Sequence, residues 1–258
     1  MKINTLNNLF PELKKNKGFI IFLDPDRKDV WTNPDKMHKH HLEHIIECQD
    51  YFTSVIIGGS TGVTEELMDI SINCLLDIGY SQNKIGLIPS HHTTFSKLAN
   101  YAVMPLLLNS TDQYFRFDFI VKSIDIIKNY KLSIVPTAYL LVEPADQLTV
   151  GKVTKPDIIK DCKSMERYCE AAKMLGLETI SLEAGSGASY PVSSYLVKCC
   201  RDSFDGTITV GGGIKTPEQV TGILSAGADV IIIGDAIEKS SNPKSLIKSI
   251  GEVVRTYS

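Results

Sequence analysis

Short runs of apolar, β-branched residues recur along the chain and alternate with longer segments of helical periodicity. The short runs are typical of strands buried on both faces, so their alternation with helices predicts a parallel sheet built from βα units. Strands are predicted at 19–23, 54–57, 85–88, 103–107, 133–135 continuing toward 141, 179–182, 208–210 and 230–233. Eight such units predict an α/β protein with a single (β/α)8 TIM barrel.

Helices are predicted between these strands over 36–49, 64–77, 112–129, 157–175, 191–201, 216–225 and 243–255, with a short one at 5–15. The third connection, 89–100, is brief and rich in histidine and threonine, so we expect an irregular or missing third helix. The longest irregular stretch is 143–156, and its position after the fifth strand suggests a lid over an active site.

The size and charge of the chain narrow the class of protein. Its 258 residues, 43% of them hydrophobic, fit one domain over 1–258, close to the roughly 250 residues of a typical barrel. The net charge of −3 and the lack of a basic run with interleaved aromatics argue against a nucleic-acid partner. Because we find neither a signal peptide nor an apolar run of about 18 residues, we expect a cytoplasmic protein without stable membrane insertion.

The cysteines and histidines give weaker signals. Without a C-x-x-C pair, the cysteines are interpreted as reduced, mostly buried thiols rather than zinc ligands: Cys48, Cys74, Cys162, Cys169, Cys199 and Cys200. In the cluster from His38 to His44, His40 and His44 lie four residues apart on a predicted helix, where a solvated face is favoured over a metal site. His91 and His92 are expected to point apart.

Glycine follows the last two predicted strands and suggests a site for phosphate. Gly211, Gly212 and Gly213 end one strand, and Gly234 ends the next. Glycine lets backbone N–H groups approach phosphate oxygens closely, and the final two strands of a barrel are a recurrent phosphate site. The alternative is that these glycines only form tight turns between strand and helix.

Acidic residues stand at two other predicted strand ends. Asp24 and Asp26 follow the first strand and offer hard oxygen ligands for Mg²⁺, while Ser60 after the second strand offers a hydroxyl. Glu183 follows the sixth strand and is placed to accept a proton as a general base. Turn capping by Asp24 and a surface position for Glu183 remain the alternatives.

The turn after Glu183 begins like a dinucleotide fingerprint but does not complete it. Gly185, Ser186 and Gly187 match its start, whereas Tyr190 replaces the third glycine, so a Rossmann site is rejected. Tyr139, near the end of the fifth strand, is either a substrate contact or an ordinary barrel-mouth aromatic.

Together these motifs resemble the geranylgeranylglyceryl phosphate synthase family and its close relative heptaprenylglyceryl phosphate synthase. The resemblance covers nearly the whole chain and rests on Phe22-Leu-Asp-Pro-Asp26, Ile57-Gly-Gly-Ser60, Leu182-Glu-Ala-Gly-Ser-Gly-Ala188, Val210-Gly-Gly-Gly-Ile214 and Ile233-Gly-Asp-Ala-Ile-Glu238. Members are TIM barrels that use Mg²⁺ to join a prenyl diphosphate to sn-glycerol 1-phosphate. The resemblance therefore implies a Mg²⁺-dependent prenyltransferase of ether-lipid biosynthesis that uses geranylgeranyl diphosphate or a longer donor such as heptaprenyl diphosphate.

The same resemblance assigns roles to residues of this chain. It implies Mg²⁺ at Asp24 and Ser60 and proton acceptance by Glu183 from the glycerol 3-hydroxyl. It implies sn-glycerol 1-phosphate at Ser181, Leu182, Glu183, Ala184, Gly185, Ser186, Gly187, Gly212, Gly213, Gly234 and Asp235. Many members have tyrosine where this chain has Ser181. The family also forms dimers and larger assemblies, which implies a homo-oligomer.

Several alternatives and one open assignment remain. The prenyl tail needs a long apolar groove, for which Tyr101, Met104, Leu106 and Leu108 are the candidates, although core packing is the default role of such residues. A sugar-phosphate isomerase, aldolase or synthase on the same phosphate site is a second enzymatic reading, since fold alone does not fix function. A non-catalytic phosphate- or flavin-binding barrel is the alternative from another class.

Overall fold

The computed structural model of the protein describes residues 1–25, 41–59 and 61–257. Asp26, Ser60, His38 and His40, and the first part of the predicted helix 36–49, lie outside these described residues.

A closed barrel of eight parallel strands forms the centre of the described structure. The strands are β1 (Lys2–Ile3), β2 (Gly18–Leu23), β3 (Ser54–Gly58), β4 (Ile85–Ile88), β5 (Tyr101–Leu107), β6 (Ser133–Leu141), β7 (Thr179–Glu183), β8 (Thr207–Gly211) and β9 (Val230–Ile233). Strands β2 to β9 make up the barrel, which closes where β2 pairs with β9 and where β6 pairs with β7. All eight predicted strands and the TIM barrel are thus confirmed.

Strand β1 is an addition that the pattern of the sequence did not reveal. Lys2 lies opposite Ser133 and Ile3 opposite Ile134, at the amino-terminal half of β6. Strand β7 pairs with β6 only from Ala138 onward. Strand β1 therefore lies beside the half of β6 that β7 leaves unpaired.

Helices surround the barrel. They are α1 (Leu6–Leu9), α2 (His41–Glu47), α3 (Glu65–Asp77), α4 (Phe119–Tyr130), α5 (Thr149–Thr154), α6 (Cys162–Met174), α7 (Ser194–Ser203), α8 (Pro217–Ser225), α9 (Asp235–Glu238) and α10 (Pro243–Thr256). Several start at a side-chain cap, as at Thr216, whose hydroxyl accepts the Gln219 amide in a capping box. Residues 89–100 contain no helix, as predicted. None of the helices in the described ranges is both long and apolar enough to cross a membrane.

The segment 143–156 is more regular than the sequence suggested. It contains a 3₁₀ turn at Ala145–Gln147 and then helix α5. Gly151 lies inside α5. A Cβ atom at this position would come within 2.2 Å of the Ala145 carbonyl oxygen, so a larger residue would not fit. Gly151 therefore allows α5 to pack closely against Ala145. The prediction of an irregular stretch was wrong for the part that forms α5.

Two apolar layers stabilise the barrel. A large outer cluster lies between the strands and the surrounding helices, and a smaller one fills the barrel interior. Among its strand residues, the inner cluster includes Ile20, Ile56, Val103, Val135 and Ile232, and the N-terminal residues Phe10 and Leu13 close it from below. Burial of such side chains contributes roughly 1.5–3 kcal/mol each.

The prediction that every cysteine is reduced was wrong for two of them. Cys162 at the start of α6 and Cys199 on α7 form a disulfide. Helices α6 and α7 pack against each other and so bring together residues 37 positions apart. Cys169 and Cys200 remain free in the same interface, with their Sγ atoms 3.7 Å apart, and both are buried.

Candidate functional site

A cavity of about 810 Å³ opens at the carboxyl ends of the strands. One part of its wall is polar and includes Glu183, Ser186, Gly212, Lys215, Asp235 and Lys239. Another part is apolar and includes Phe22, Ile88, Leu107, Phe115, Phe119 and Val150. One cavity can therefore take a ligand with a charged end and a long hydrocarbon part.

Glu183 is held in one orientation at the polar part of the cavity. Its Oε1 accepts the Gly185 backbone N–H at 2.7 Å, and its Oε2 accepts the Tyr139 hydroxyl at 3.2 Å. Burial raises the pKa of Glu183 to about 7, although the hydrogen bonds from Gly185 and Tyr139 act in the opposite direction. A carboxyl group with that pKa can take up and release a proton near neutral pH.

Tyr139 lies beside Glu183 as a hydrogen-bond donor. Burial, followed by the nearby Glu183 carboxylate, raises the pKa of Tyr139 well above its usual value. Tyr139 therefore keeps its proton and can hold the Glu183 carboxylate in place. This contact decides neither of the two alternatives for Tyr139, substrate contact or barrel-mouth aromatic, but it adds a role that the sequence did not show.

The glycines at the end of β8 and directly after it make room for the Glu183 carboxylate. Gly212 and Gly213 have φ values of +82° and +70°. A Cβ atom on Gly212 would lie 2.4 Å from Glu183 Oε1, and one on Gly211 would lie 2.5 Å from Oε2. Positive φ is thus needed at only two of the three glycines, while Gly211 is required for space.

The turn after β7 is tied to the end of β9. The Ser186 hydroxyl donates to Asp235 Oδ1 at 3.3 Å, and Lys239 Nζ lies 2.7 Å from Asp235 Oδ2. Gly185 and Gly187 have positive φ, which lets the turn curve over this pair. Gly234 lines the same cavity with a φ of −119°, so its backbone is not left-handed.

Two lysines add positive charge that sequence reasoning missed. Lys215 and Lys239 both line the cavity, and Lys215 Nζ donates to the Ser189 carbonyl oxygen at 3.1 Å. A search for cationic residues directly after the glycine-bearing strand ends would have found them. Ammonium groups of this kind can pair with an anionic group of a ligand.

Asp24 faces the cavity from the end of β2. Its Oδ1 would be 2.5 Å from a Cβ atom at position 59, so Gly59 leaves room for the carboxylate. The described residues contain no group of three or more His, Cys, Asp or Glu side chains suited to a metal ion. The carboxylate of Asp24 is of the type that contributes an oxygen ligand to a hard divalent cation.

The rest of the predicted glycerol phosphate segment lies behind the cavity surface. Ser181 is only 2% exposed, Leu182 packs into the outer apolar layer, and Ala184 is buried. None of the three belongs to the cavity wall, whereas Glu183, Gly185, Ser186 and Gly187 do. Direct contact of Ser181, Leu182 and Ala184 with a substrate stays a prediction.

The four residues proposed for an apolar groove do not line the cavity, and their default interpretation, core packing, is confirmed for Tyr101 and Met104. Pro105 and Leu107 line the cavity, whereas Met104 belongs to the outer layer and Tyr101 lies in the lower interior, hydrogen-bonded to Ser54. Alternate residues of a strand face opposite sides, so one position changes the face entirely. Neither Leu106 nor Leu108 is part of the cavity wall.

The histidines take no part in this cavity wall within the described residues. His91 and His92 do not point apart, because their ring centroids are 4.0 Å from each other. His92 Nδ1 also lies 3.0 Å from the Tyr114 hydroxyl. His44 Nδ1 is 4.0 Å from Glu47 Oε2, on the same helix.

Comparison with known proteins gives consistent matches over nearly the full chain. The profile of the PcrB family matches residues 12–254. The geranylgeranylglyceryl phosphate synthase of Pyrococcus furiosus is 33% identical over 261 residues, covering 100% of both chains. That of Thermoplasma volcanium is 32% identical over 247 residues, covering 95% of this chain and 94% of the relative.

A solved structure matches equally broadly. It is the (S)-3-O-geranylgeranylglyceryl phosphate synthase of Thermoplasma acidophilum in complex with its substrate sn-glycerol-1-phosphate. The TM-score is 0.86 at 27% identity, with 98% of this chain and 99% of the other covered.

Proposed function

The chain belongs to the PcrB family, and from that premise we propose that it is a prenyltransferase joining geranylgeranyl diphosphate to the 3-hydroxyl of sn-glycerol 1-phosphate. One observation carries the proposal. The oriented carboxyl of Glu183, with a pKa of about 7, lies in a single cavity between a glycine- and lysine-rich wall and an apolar wall.

The polar wall supports binding of glycerol phosphate. Backbone N–H groups at Gly212 and Gly213, together with the Lys215 and Lys239 ammonium groups, suit the phosphate dianion. Ser186 and Asp235 bridge the two strand ends and offer a hydroxyl and a carboxylate to the glycerol hydroxyls. This arrangement would leave the 3-hydroxyl facing Glu183.

The apolar wall supports binding of a prenyl chain. This wall includes Leu107 of β5, Phe115 just before α4, Phe119 at the start of α4, and Val150 of α5. Helix α5 belongs to the segment expected to form a lid, and Val150 and Val153 bring it against the cavity. Chain length of the donor would follow from how far this wall extends.

Mg²⁺ is the proposed cofactor, and the residues present fit it. Asp24 would hold the ion, and Ser60, outside the described residues, is the second predicted ligand. When bound, the ion supplies positive charge that stabilises the departing diphosphate. The support for this role is that Asp24, after the end of β2, lines the same cavity as Glu183 and Gly212.

Glu183 and Tyr139 would carry out the proton chemistry. The ionised Glu183 carboxylate accepts the proton of the glycerol 3-hydroxyl as its oxygen forms the bond to C1 of the prenyl chain, and the C1–O bond to diphosphate breaks. The Tyr139 hydroxyl and the Gly185 amide keep the carboxylate aimed throughout. Holding both substrates in one cavity removes much of the entropic barrier.

The experiment is a product assay with purified protein. Geranylgeranyl diphosphate and sn-glycerol 1-phosphate should give an organic-extractable product of the expected mass with Mg²⁺ and none with excess EDTA. Glu183→Gln should reduce the rate at least about a hundredfold, the usual scale for losing a general base, and Asp24→Asn should abolish product formation because a proposed ligand of the ion is lost. The surface variants Glu252→Gln and Asp77→Asn are the matched controls.

Two comparisons and two contrary outcomes make that assay decisive. Donors of graded length, read by product mass, identify the preferred prenyl chain. Replacement of the acceptor by sn-glycerol 3-phosphate tests whether the polar wall selects one enantiomer. Unchanged rates in both Glu183→Gln and Asp24→Asn would exclude the proposed chemistry, and tight phosphate binding without product from any donor would favour a binding protein.

We also propose that the protein is a homo-oligomer. Phe117 and Val121 lie four residues apart on the outer side of the α4 region and are 61% and 55% exposed. Such neighbouring apolar side chains are typical of a covered surface. Light scattering coupled to size exclusion should give a mass above 28.5 kDa, and Val121→Lys should lower it.

A further inference from the structure

The interior of the barrel is polar on one side. Strand β7 directs alternate residues inward, so Thr179 and Ser181 lie in line with Glu183, while Ile180 and Leu182 pack in the outer layer. The described residues of β7 and β8 contribute nothing to the apolar cluster that fills the rest of the interior. We call this inward-facing set of Thr179, Ser181, Thr207 and Thr209 the hydroxyl sector.

The hydroxyl sector is continuous across neighbouring strands. On β8, Thr209 lies opposite Ser181 and Thr207 opposite Thr179. On β6, Tyr139 lies opposite Ser181. The four members of the sector are each no more than 5% exposed. Ser181 lies two residues further into the barrel than Glu183, about 6 to 7 Å along the strand.

Two hydroxyls of this sector lack a protein partner. Within residues 1–25, 41–59 and 61–257, neither Ser181 Oγ nor Thr179 Oγ1 has a hydrogen-bond partner. A buried hydroxyl without a hydrogen bond is destabilising, and two in succession on one strand face are unusual. Polar recesses with several hydroxyl groups are the places where proteins hold internal water.

We propose that Ser181 and Thr179 bind internal water inside the barrel beneath Glu183, and that this water stabilises the ionised Glu183 carboxylate. Water at Ser181 can donate a hydrogen bond toward Glu183 while accepting one from the serine, and the next water can bridge Thr179 to β8. Ser181 is then a positioning residue that acts on the base through solvent. Only its effect on catalysis rests on the proposed function.

The surroundings of Glu183 leave room for that effect. The groups against its carboxyl are the Tyr139 hydroxyl from β6 and the Gly185 amide of its own turn, while β8 approaches with Gly211 and Gly212. None of these carries a charge. Burial is the first cause of the raised pKa of Glu183, so an added water donor should favour the ionised form.

The first test is structural and thermodynamic and uses the ligand-free full chain. A high-resolution crystal structure should show water within hydrogen-bonding distance of both Ser181 Oγ and Thr179 Oγ1. If the hydroxyls are hydrated, Ser181→Ala and Thr179→Val should each lower the unfolding midpoint by about 2–4 °C, because a partner of the water is lost. In a dry site the same changes remove an unpaired hydroxyl and should raise the midpoint.

Ser123→Ala is the matched control. Ser123 is a fully buried serine on α4 whose Oγ already donates to the Phe119 carbonyl oxygen at 2.7 Å. This variant measures how far the unfolding midpoint changes when alanine replaces a buried serine that already has a hydrogen-bond partner in the protein. Absence of water density, or a raised midpoint in Ser181→Ala, overturns the proposal.

The second test measures the base itself without substrates. Carbon-13 NMR of the Glu183 side-chain carboxyl, assigned with Glu183→Gln, gives its titration in the ligand-free protein. Ser181→Ala should move the titration midpoint to higher pH, and Ser181→Thr, which keeps the hydroxyl, should restore it. An unmoved midpoint refutes the link to Glu183. Neither test requires turnover, so failure of the prenyltransferase proposal would be seen separately.

Discussion

Replacing Glu183 by glutamine should stabilise the protein, and the gain should depend on pH. Glu183 lies on the cavity wall, with its carboxyl between the Gly185 amide and the Tyr139 hydroxyl. Glutamine has nearly the same shape, keeps an oxygen for the Gly185 N–H, and can donate its amide to the Tyr139 oxygen. It therefore imitates protonated Glu183 at every pH.

The magnitude follows from the pKa of Glu183. Burial raises it from 4.5 to about 7. Below pH 4.5 both the folded and the unfolded chain hold the proton, so Glu183 does not lower the free energy of unfolding. Between pH 4.5 and 7 the unfolded chain ionises first, which makes folding progressively less favourable, and above pH 7 the loss is complete. At about 1.4 kcal/mol per pKa unit, the free energy of unfolding falls by about 2–3 kcal/mol. This figure is reduced from the full value because water in the cavity partly solvates the carboxylate.

The assay is urea unfolding of both proteins at pH 4.5 and pH 8, without reductant. The free energy of unfolding of Glu183→Gln should match that of the natural chain at pH 4.5 and exceed it by about 2–3 kcal/mol at pH 8. Glu252→Gln, on the exposed side of α10, should show no such change. A difference between Glu183→Gln and the natural chain that stays flat from pH 4.5 to 8 would refute the reasoning.

Three further outcomes are expected. Tyr139→Phe removes a hydrogen bond that favours ionised Glu183, so the acid limb of the pH profile of kcat/KM should move from near pH 7 to about one unit higher, and an unmoved limb would contradict this contact. Gly212→Ala forces a side chain onto a φ of +82° and against Glu183 Oε1, so the KM for glycerol phosphate should rise more than about tenfold; unaltered kinetics would count against the glycine cradle. Reduction of the α6–α7 disulfide, which spans 37 positions, should lower the free energy of unfolding by about 4 kcal/mol in urea titrations, and thiol counting of the denatured, unreduced chain should find four free thiols rather than six.

The strands could be predicted because burial on both faces leaves an unmistakable sequence pattern. The run of four isoleucine and valine residues in β9 is an example, and its predicted bounds match the structure. The helix predicted over 216–225 likewise agrees with α8, which begins after its N-cap residue Thr216. Strand β1 is only two residues long and is exposed, so it has no such pattern and its pairing depends on β6. Helix α5 was not predicted around Gly151, because the need for glycine there comes from the close approach of Ala145, which the sequence does not show.

For the candidate site, the sequence indicated what strand ends present but not how neighbouring strands combine. Glu183 and Gly212 were predicted from their own local motifs. Their close approach depends on the register between β7 and β8, which no single motif contains. The same limit explains the disulfide, since the distance from Cys162 to Cys199 is decided by how α6 packs on α7. Lys215 and Lys239 were not predicted, because the sequence does not show that both line one cavity.

The short strand β1 has a practical consequence for handling the protein. Strands β6 and β7 pair only from Ala138 onward, and Lys2 and Ile3 pair instead with Ser133 and Ile134. Asn4 then anchors this segment through its N–H, 2.8 Å from the Ile134 carbonyl oxygen. The segment therefore supplies partners to an edge of β6 that no barrel strand covers. Removing residues 2–4 should leave this part of β6 as an unpaired edge, which other chains can pair with, so a purification tag is better placed after Tyr257.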